Sequence, residues 1–242
     1  MKNKNISLIL IIIVCIFLFI ISLLIGSFDL SIEDIINILL GKNDSSIQRN
    51  VFYNLRIPRA VMGIYAGVAL GFAGSIYQVL FCNPLASPDL TGVASGASLG
   101  AALAIVIGTG SLLEKTVGAF IFGLLSLFLV IFLVKTTRGK QLSTYILAGI
   151  IISSLADAGI MMLKYMADPL GELASIEFWT MGSLASITLD KMILSLLLGI
   201  IPFVLLCLAH QRIIILSLGD ENARYLGLNA RGQRFIILLL TT

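Results

Sequence analysis

Charge is scarce in this sequence. Asp, Glu, Lys and Arg together make up 12% of the 242 residues, where a soluble domain carries about a quarter. The charges that exist sit in short clusters between uncharged apolar stretches, the pattern expected when a bilayer rather than water is the solvent. Metal-binding residues are also scarce. Histidine occurs once, at His210, and the three cysteines, Cys15, Cys82 and Cys207, share no ligand spacing. This argues against a structural zinc, a haem or a disulfide framework, so neither a metal nor another cofactor is expected. Phosphate-cradling and catalytic motifs are missing too. Gly41-Lys42 runs into Asn43 and Gly139-Lys140 into Gln141, neither with the upstream glycine of a P-loop, and no HExxH, GxSxG or Ser–His–Asp set can be assembled. The chain is therefore expected neither to hydrolyse ATP nor to be an enzyme. A net charge of +3, with its cations near helix ends, gives no nucleic-acid surface.

Hydrophobic residues make up 58% of the chain. The runs are too long for barrel strands, so the expected fold is all-α, a polytopic transmembrane helical bundle forming one domain over residues 1–242. Expected spans are 6–25, 60–81, 91–108, 117–134, 144–167, 192–209 and an incomplete seventh, 235–242. The first is too long for a signal-peptide core and has no small-residue cleavage site, so it reads as a retained span. Eight residues cannot cross a bilayer, so the sequence reads as stopping inside a helix, through truncation or because the gene continues. Placing the N-terminus in the cytoplasm puts the tight cluster Lys135, Arg138 and Lys140 inside, nine basic residues against seven outside. In the first outer loop, Ser31 and Asp34 form a capping-box pair. Ile35, Ile36, Leu39 and Leu40 supply the apolar face of a short helix ending at Gly41. Phe178 and Trp179 suit an interfacial belt.

Four features stand out within this frame. Gly63, Gly67 and Gly71, and then Gly92, Gly96 and Gly100, recur at four-residue spacing, which clears one helix face for close packing. Between the ladders, Pro84 and Pro88 forbid a continuous helix and mark a reversal. Asp157 lies deep in the fifth span. It is either functional and pore-lining, or a protonated or internally hydrogen-bonded carboxyl. The stretch LSLGDENARYLG, 216–227, is either a solvated turn or a compact cytoplasmic helix on which a partner protein can push.

RIPR at 56–59, the glycine-rich second span, FCNPLASPDLTGVASGASLGA over 81–101, LAGIIISS from 147, FWTMGSL from 178 and LGDENARYLG from 218 occur in this order. Together they closely resemble the FecCD-type permeases of ABC importers for iron–siderophores, haem and cobalamin. The resemblance implies a permease subunit of about ten spans, of which about seven are present here. It also implies a bacterial inner or plasma membrane and three partners: an ABC ATPase subunit, an extracytoplasmic substrate-binding protein and a second permease subunit, as homo- or heterodimer. By the same resemblance, Arg56 and Arg59 dock the binding protein, and Asn83, Leu85, Ser143 and Thr144 form cytoplasmic gates. Gly219, Asp220, Glu221, Ala223, Arg224 and Gly227 couple to the ATPase. Iron–siderophore is the expected cargo, with haem or cobalamin as alternatives. Asp157 departs from the family pattern, which has a small or hydroxyl residue there. The competing readings are an ion-coupled secondary transporter using Asp157, and a non-transporting truncated fragment.

Overall fold

The computed structural model describes the chain apart from Met1, Asn43, Asp44, Leu85 and residues 138–141, and apart from the side chains of residues 2–4, 90, 142–143, 220 and 231. All regular structure among the described residues is helical. In order, the helices are α1 (Lys2–Leu24), α2 (Ile32–Leu39), α3 (Ser46–Val51), α4 (Ile57–Leu80), α5 (Val93–Val106), α6 (Leu112–Thr136), α7 (Leu142–Met166), α8 (Glu172–Met181), α9 (Leu189–Leu208), α10 (His210–Ser217), α11 (Asp220–Tyr225) and α12 (Ala230–Thr241). Among the described residues, five stretches are long and apolar enough to cross a membrane: Asn5–Leu24, Ser46–Leu80, Leu112–Thr136, Thr144–Met166 and Leu189–Leu208.

Two of the expected spans take a different form. The second begins at Ser46, not residue 60, because helix continues through Pro58. Pro58 has no N–H to give the carbonyl four residues back. The helix absorbs this by widening to a π-turn over Phe52–Arg56, with the Ile57 N–H bonded to Phe52 O. The third is only the 14-residue α5, about 21 Å long at 1.5 Å per residue, short of a bilayer core of about 30 Å. It starts late because Pro88–Thr91 forms a 3₁₀ turn and Gly92 adopts a left-handed φ of 71°.

The chain divides into two compact units. The first comprises 1–69 and 184–200. Its core is Leu30, Ile35, Ile38 and Phe52. The capping box on α2 is formed as expected, with the Asp34 N–H donating to Ser31 Oγ at 3.0 Å and the Ser31 N–H donating to Asp34 Oδ2 at 2.9 Å. At its far end the Lys42 and Gly41 N–H groups bond back to Asn37 O and Ile38 O, a Schellman closure that uses the positive φ of Gly41. The buried face is Ile35 and Ile38, however. Ile36, Leu39 and Leu40 point outward, so the expected apolar face is offset by about a third of a turn.

The second unit comprises 70–183 and 201–242. Its largest core gathers Tyr77, Leu80, Phe81, Leu216, Ala223, Ile237 and Leu238. Helix α6 buries Gly123, Ser126, Leu127, Val130, Ile131 and Val134, a 3.6-residue repeat on one face. Lipid tails are as apolar as leucine, so hydrophobic burial adds little between spans and close contact between backbones matters more. That contact is made by α5 on α6. A Cβ added at Gly96 would lie 1.9 Å from Ser126 Oγ, and one at Gly100 would lie 2.1 Å from Gly118 O.

Candidate functional site

The two glycine ladders have different fates. Gly92, Gly96 and Gly100 are closed upon, Gly92 lying where a Cβ would meet Gly149 O at 3.0 Å. Gly63, Gly67 and Gly71 are not: only Leu184, at 4.0 Å from Gly63, approaches any of them among the described residues. Among the described residues, then, no neighbouring element closes on the first ladder.

Arg56 and Arg59 also separate. Arg56 is buried at 7% exposure. Its Nη1 donates to Leu23 O at 2.6 Å and Leu24 O at 2.9 Å, and its Nη2 donates to Phe28 O. These are carbonyls at and just beyond the end of α1, which have no helical donors of their own, so the guanidinium acts as a C-terminal cap and meets the negative end of the helix dipole. Gly26 leaves it room, since a Cβ there would come within 3.0 Å of Nη2. Arg59 is exposed and donates to Ala185 O. Lys191 Nζ donates to the next carbonyl, Ser186 O, at 2.8 Å. Two cations thus hold consecutive carbonyls of the segment leading into α9. Tyr65 reinforces this unit by bonding Ser195 O at 3.4 Å, its ring lying against Gly199.

In the second unit the expected gate turn closes α4. The Asn83 N–H bonds Gln78 O and the Cys82 N–H bonds Val79 O, a Schellman motif in which Cys82 takes the left-handed φ of 46° usually reserved for glycine. A non-glycine residue there costs about 1–2 kcal/mol. Its thiol contacts Ser217 O at 3.6 Å, at the end of α10. Phe81 meets Tyr145 edge-on at 5.8 Å, and Tyr145 is the neighbour of half-buried Thr144. A cleft lined by Phe81, Ala86, Ser87, Thr91, Tyr145 and Ile146 lies between them. The turn bearing Asn83 and the foot of α7 bearing Thr144 are therefore brought together. Leu85 and the Ser143 side chain lie outside the described residues.

The stretch 219–227 forms the short helix α11, bracketed by Gly219 (φ 93°) and Gly227 (φ 78°). Gly227 and Leu228 close it by bonding Arg224 O and Ala223 O. Ala223 is fully buried in the core with Leu216, Ala230 and Ile237, while Glu221 and Arg224 are exposed. The Asp220 side chain lies outside the described residues. Tyr225, which sequence reasoning did not single out, is 88% exposed beside exposed Leu226. An aromatic held outward on a firmly seated helix is the one signal that could have marked it. The Cys82–Ser217 contact ties the turn after α4 to the element just before this helix. Asp157, on the exposed side of α7, joins none of these groups.

The model of the FecCD transport family matches residues 13–242. The chain belongs to that family. Among curated relatives of this FecCD-family chain, the hemin transport system permease protein of Yersinia pestis is 36% identical over 197 residues, 79% of this chain and 58% of that protein. The molybdate import system permease protein of Haemophilus influenzae is 34% identical over 230 residues, 92% of this chain and 67% of that protein. A solved inward-facing metal-chelate type ABC transporter superposes with a TM-score of 0.78 at 29% identity, covering all of this chain and 73% of that one. The chain thus spans roughly three-fifths to three-quarters of these proteins' lengths.

Proposed function

We propose that the chain is a permease subunit of an ATP-driven importer in a bacterial cell membrane, contributing half of the path for a metal chelate, with its N-terminus in the cytoplasm. Iron–siderophore is the favoured cargo, with haem or cobalamin as alternatives. The observation that carries this reading is the mounting of α11. Ala223 is locked into the core while Glu221, Arg224 and Tyr225 face outward, so force applied to the exposed side is transmitted to the core instead of bending a loop. In the proposed cycle, ATP binding closes a dimer of ATPase subunits, which pushes α11, and the contact between Cys82 and Ser217 passes that displacement to the gate turn. A second permease subunit completes the path. On the outer face, Arg59 is the arginine available to a carboxylate of a binding protein, because its fixed fork suits bidentate pairing. Arg56 supports that site by anchoring α1.

The test is uptake into proteoliposomes holding this chain with its ATPase and binding protein. Asp220→Ala combined with Glu221→Ala, or Tyr225→Ala alone, should weaken ATPase co-purification and abolish ATP-driven uptake. Uptake that persists without the ATPase and follows an ion gradient would overturn the reading in favour of a secondary transporter.

A further inference from the structure

An exposed flank of α7 carries a carboxyl group that the mechanism above does not use. Ile152, Ala156 and Ile160 are buried, at four-residue spacing. Asp157 lies about 100° round the helix from Ala156, at the edge of an exposed strip with Ser154, Ala158, Met161 and Tyr165. It stands nine residues from the end of α7 at Met166, roughly 13 Å of helix, and so within the apolar part of the span Thr144–Met166. Ser154, one turn away, donates its hydroxyl to Ile150 O instead. Asp157 engages no ion pair among the described residues, whose one salt bridge joins Lys164 to Glu177 at 2.9 Å.

An ionised carboxyl at this depth is costly against lipid tails and is stabilised where the strip faces water or a compensating charge. Met161 and Tyr165 are 74% and 92% exposed, so nothing among the described residues covers the strip above Asp157. We infer that Asp157 lines the translocation path and sets its charge selectivity, making the path favour neutral or cationic chelates over anionic ones. This deepens the permease reading and rests on it. In a narrow vestibule with low-dielectric walls, a single fixed charge is felt by every passing ion, and a second copy of the chain would double it.

The test compares local reactivity with thiol reagents of opposite charge. Ser154→Cys and Met161→Cys are introduced separately into the chain assembled with its ATPase in proteoliposomes. Each is labelled with a cationic and an anionic methanethiosulfonate, with rates read peptide by peptide by mass spectrometry and normalised to a free thiol. The proposal expects both positions to react, the cationic reagent about tenfold faster, and that preference to vanish in Asp157→Asn. Equal rates for both reagents would show a wet path on which Asp157 does not act. That result overturns the inference and leaves the permease reading standing. No reaction with or without ATP would place the strip against lipid or another chain and would also overturn it. The ATP-driven uptake assay judges the permease reading separately.

Discussion

The contrast between the two glycine ladders yields a sharp prediction, because the same substitution should have opposite consequences at two positions 33 residues apart, Gly67 and Gly100. In Gly100→Ala the new methyl carbon would stand 2.1 Å from Gly118 O, 2.6 Å from the carbonyl carbon of that residue and 2.7 Å from Phe122 Cβ. Ordinary contact begins near 3.4 Å, so α5 and α6 must separate locally by about an ångström. The obstructing atoms are mostly backbone and cannot rotate away. Overpacking of this kind costs about 1–3 kcal/mol, offset by about 0.5–1 kcal/mol from alanine's better helix propensity. Gly67→Ala meets nothing within 4 Å and keeps only the propensity gain. The two variants should therefore differ by about 2 kcal/mol, or roughly 4–8 °C in apparent melting temperature for a chain of this size. Thermal unfolding of the purified chain in nanodiscs, followed by intrinsic fluorescence or thiol-reactive dye, measures it. Gly96→Ala should fall between them, since its closest obstruction, Ser126 Oγ at 1.9 Å, belongs to a side chain, though Phe122 O at 2.9 Å does not yield. If Gly67→Ala destabilises as much as Gly100→Ala, the assignment of one ladder as packed and the other as open is wrong.

Further outcomes follow from the same geometry. Arg56→Ala should lower stability by about 2–4 kcal/mol, because the carbonyls of Leu23, Leu24 and Phe28 lose charged donors. Arg59→Ala should leave the melting temperature nearly unchanged and weaken binding-protein affinity, so the two arginines should separate in paired thermal and binding assays. On α2, the hydroxyl and N–H of Ser31 hold the Asp34 carboxyl below its ordinary value of 3.8. A carboxyl depressed on folding adds stability that is fully present above that value and is lost as pH falls through the lowered one. Hydrogen exchange over 32–39 should therefore stay protected at neutral pH and loosen only in acid, and Ser31→Ala should remove both the protection and its acid dependence. The Lys164–Glu177 pair, 2.9 Å apart with both side chains solvent-accessible, should contribute at most about 1 kcal/mol, so Glu177→Gln should barely shift the melting curve.

What the sequence made legible was mainly where the helices run, the turn at 82–88 and the cap at Ser31, because these follow from runs, prolines and capping chemistry that act locally. What it concealed was which face of each helix meets which neighbour. In water, hydropathy answers that question. Here it does not, since residues as apolar as Ile6, Leu8 and Phe17 stand about 60% exposed on α1 while equally apolar residues fill the core. The offset on α2 has this origin: Ile35, Ile36, Ile38, Leu39 and Leu40 are chemically alike, and only contact with Leu30 and Phe52 distinguishes Ile35 and Ile38. The glycine ladders show the same limit. Their spacing is identical, and whether a helix arrives is decided by elements distant in sequence. Arg56 and Arg59 look alike in sequence for another reason: their three-residue spacing places them on neighbouring positions of one helix, as for a shared partner. Helix does not break at Pro58 but widens just before it, and the end of α1 lies over Arg56 alone. The apolar run placed the start of the span at residue 60, and the π-turn that carries helix through Pro58 leaves no mark in the sequence. In a chain this apolar, the informative residues are those the membrane does not accept without a reason, which here are an arginine occupied by carbonyls and an aspartate that the described part of the chain leaves open.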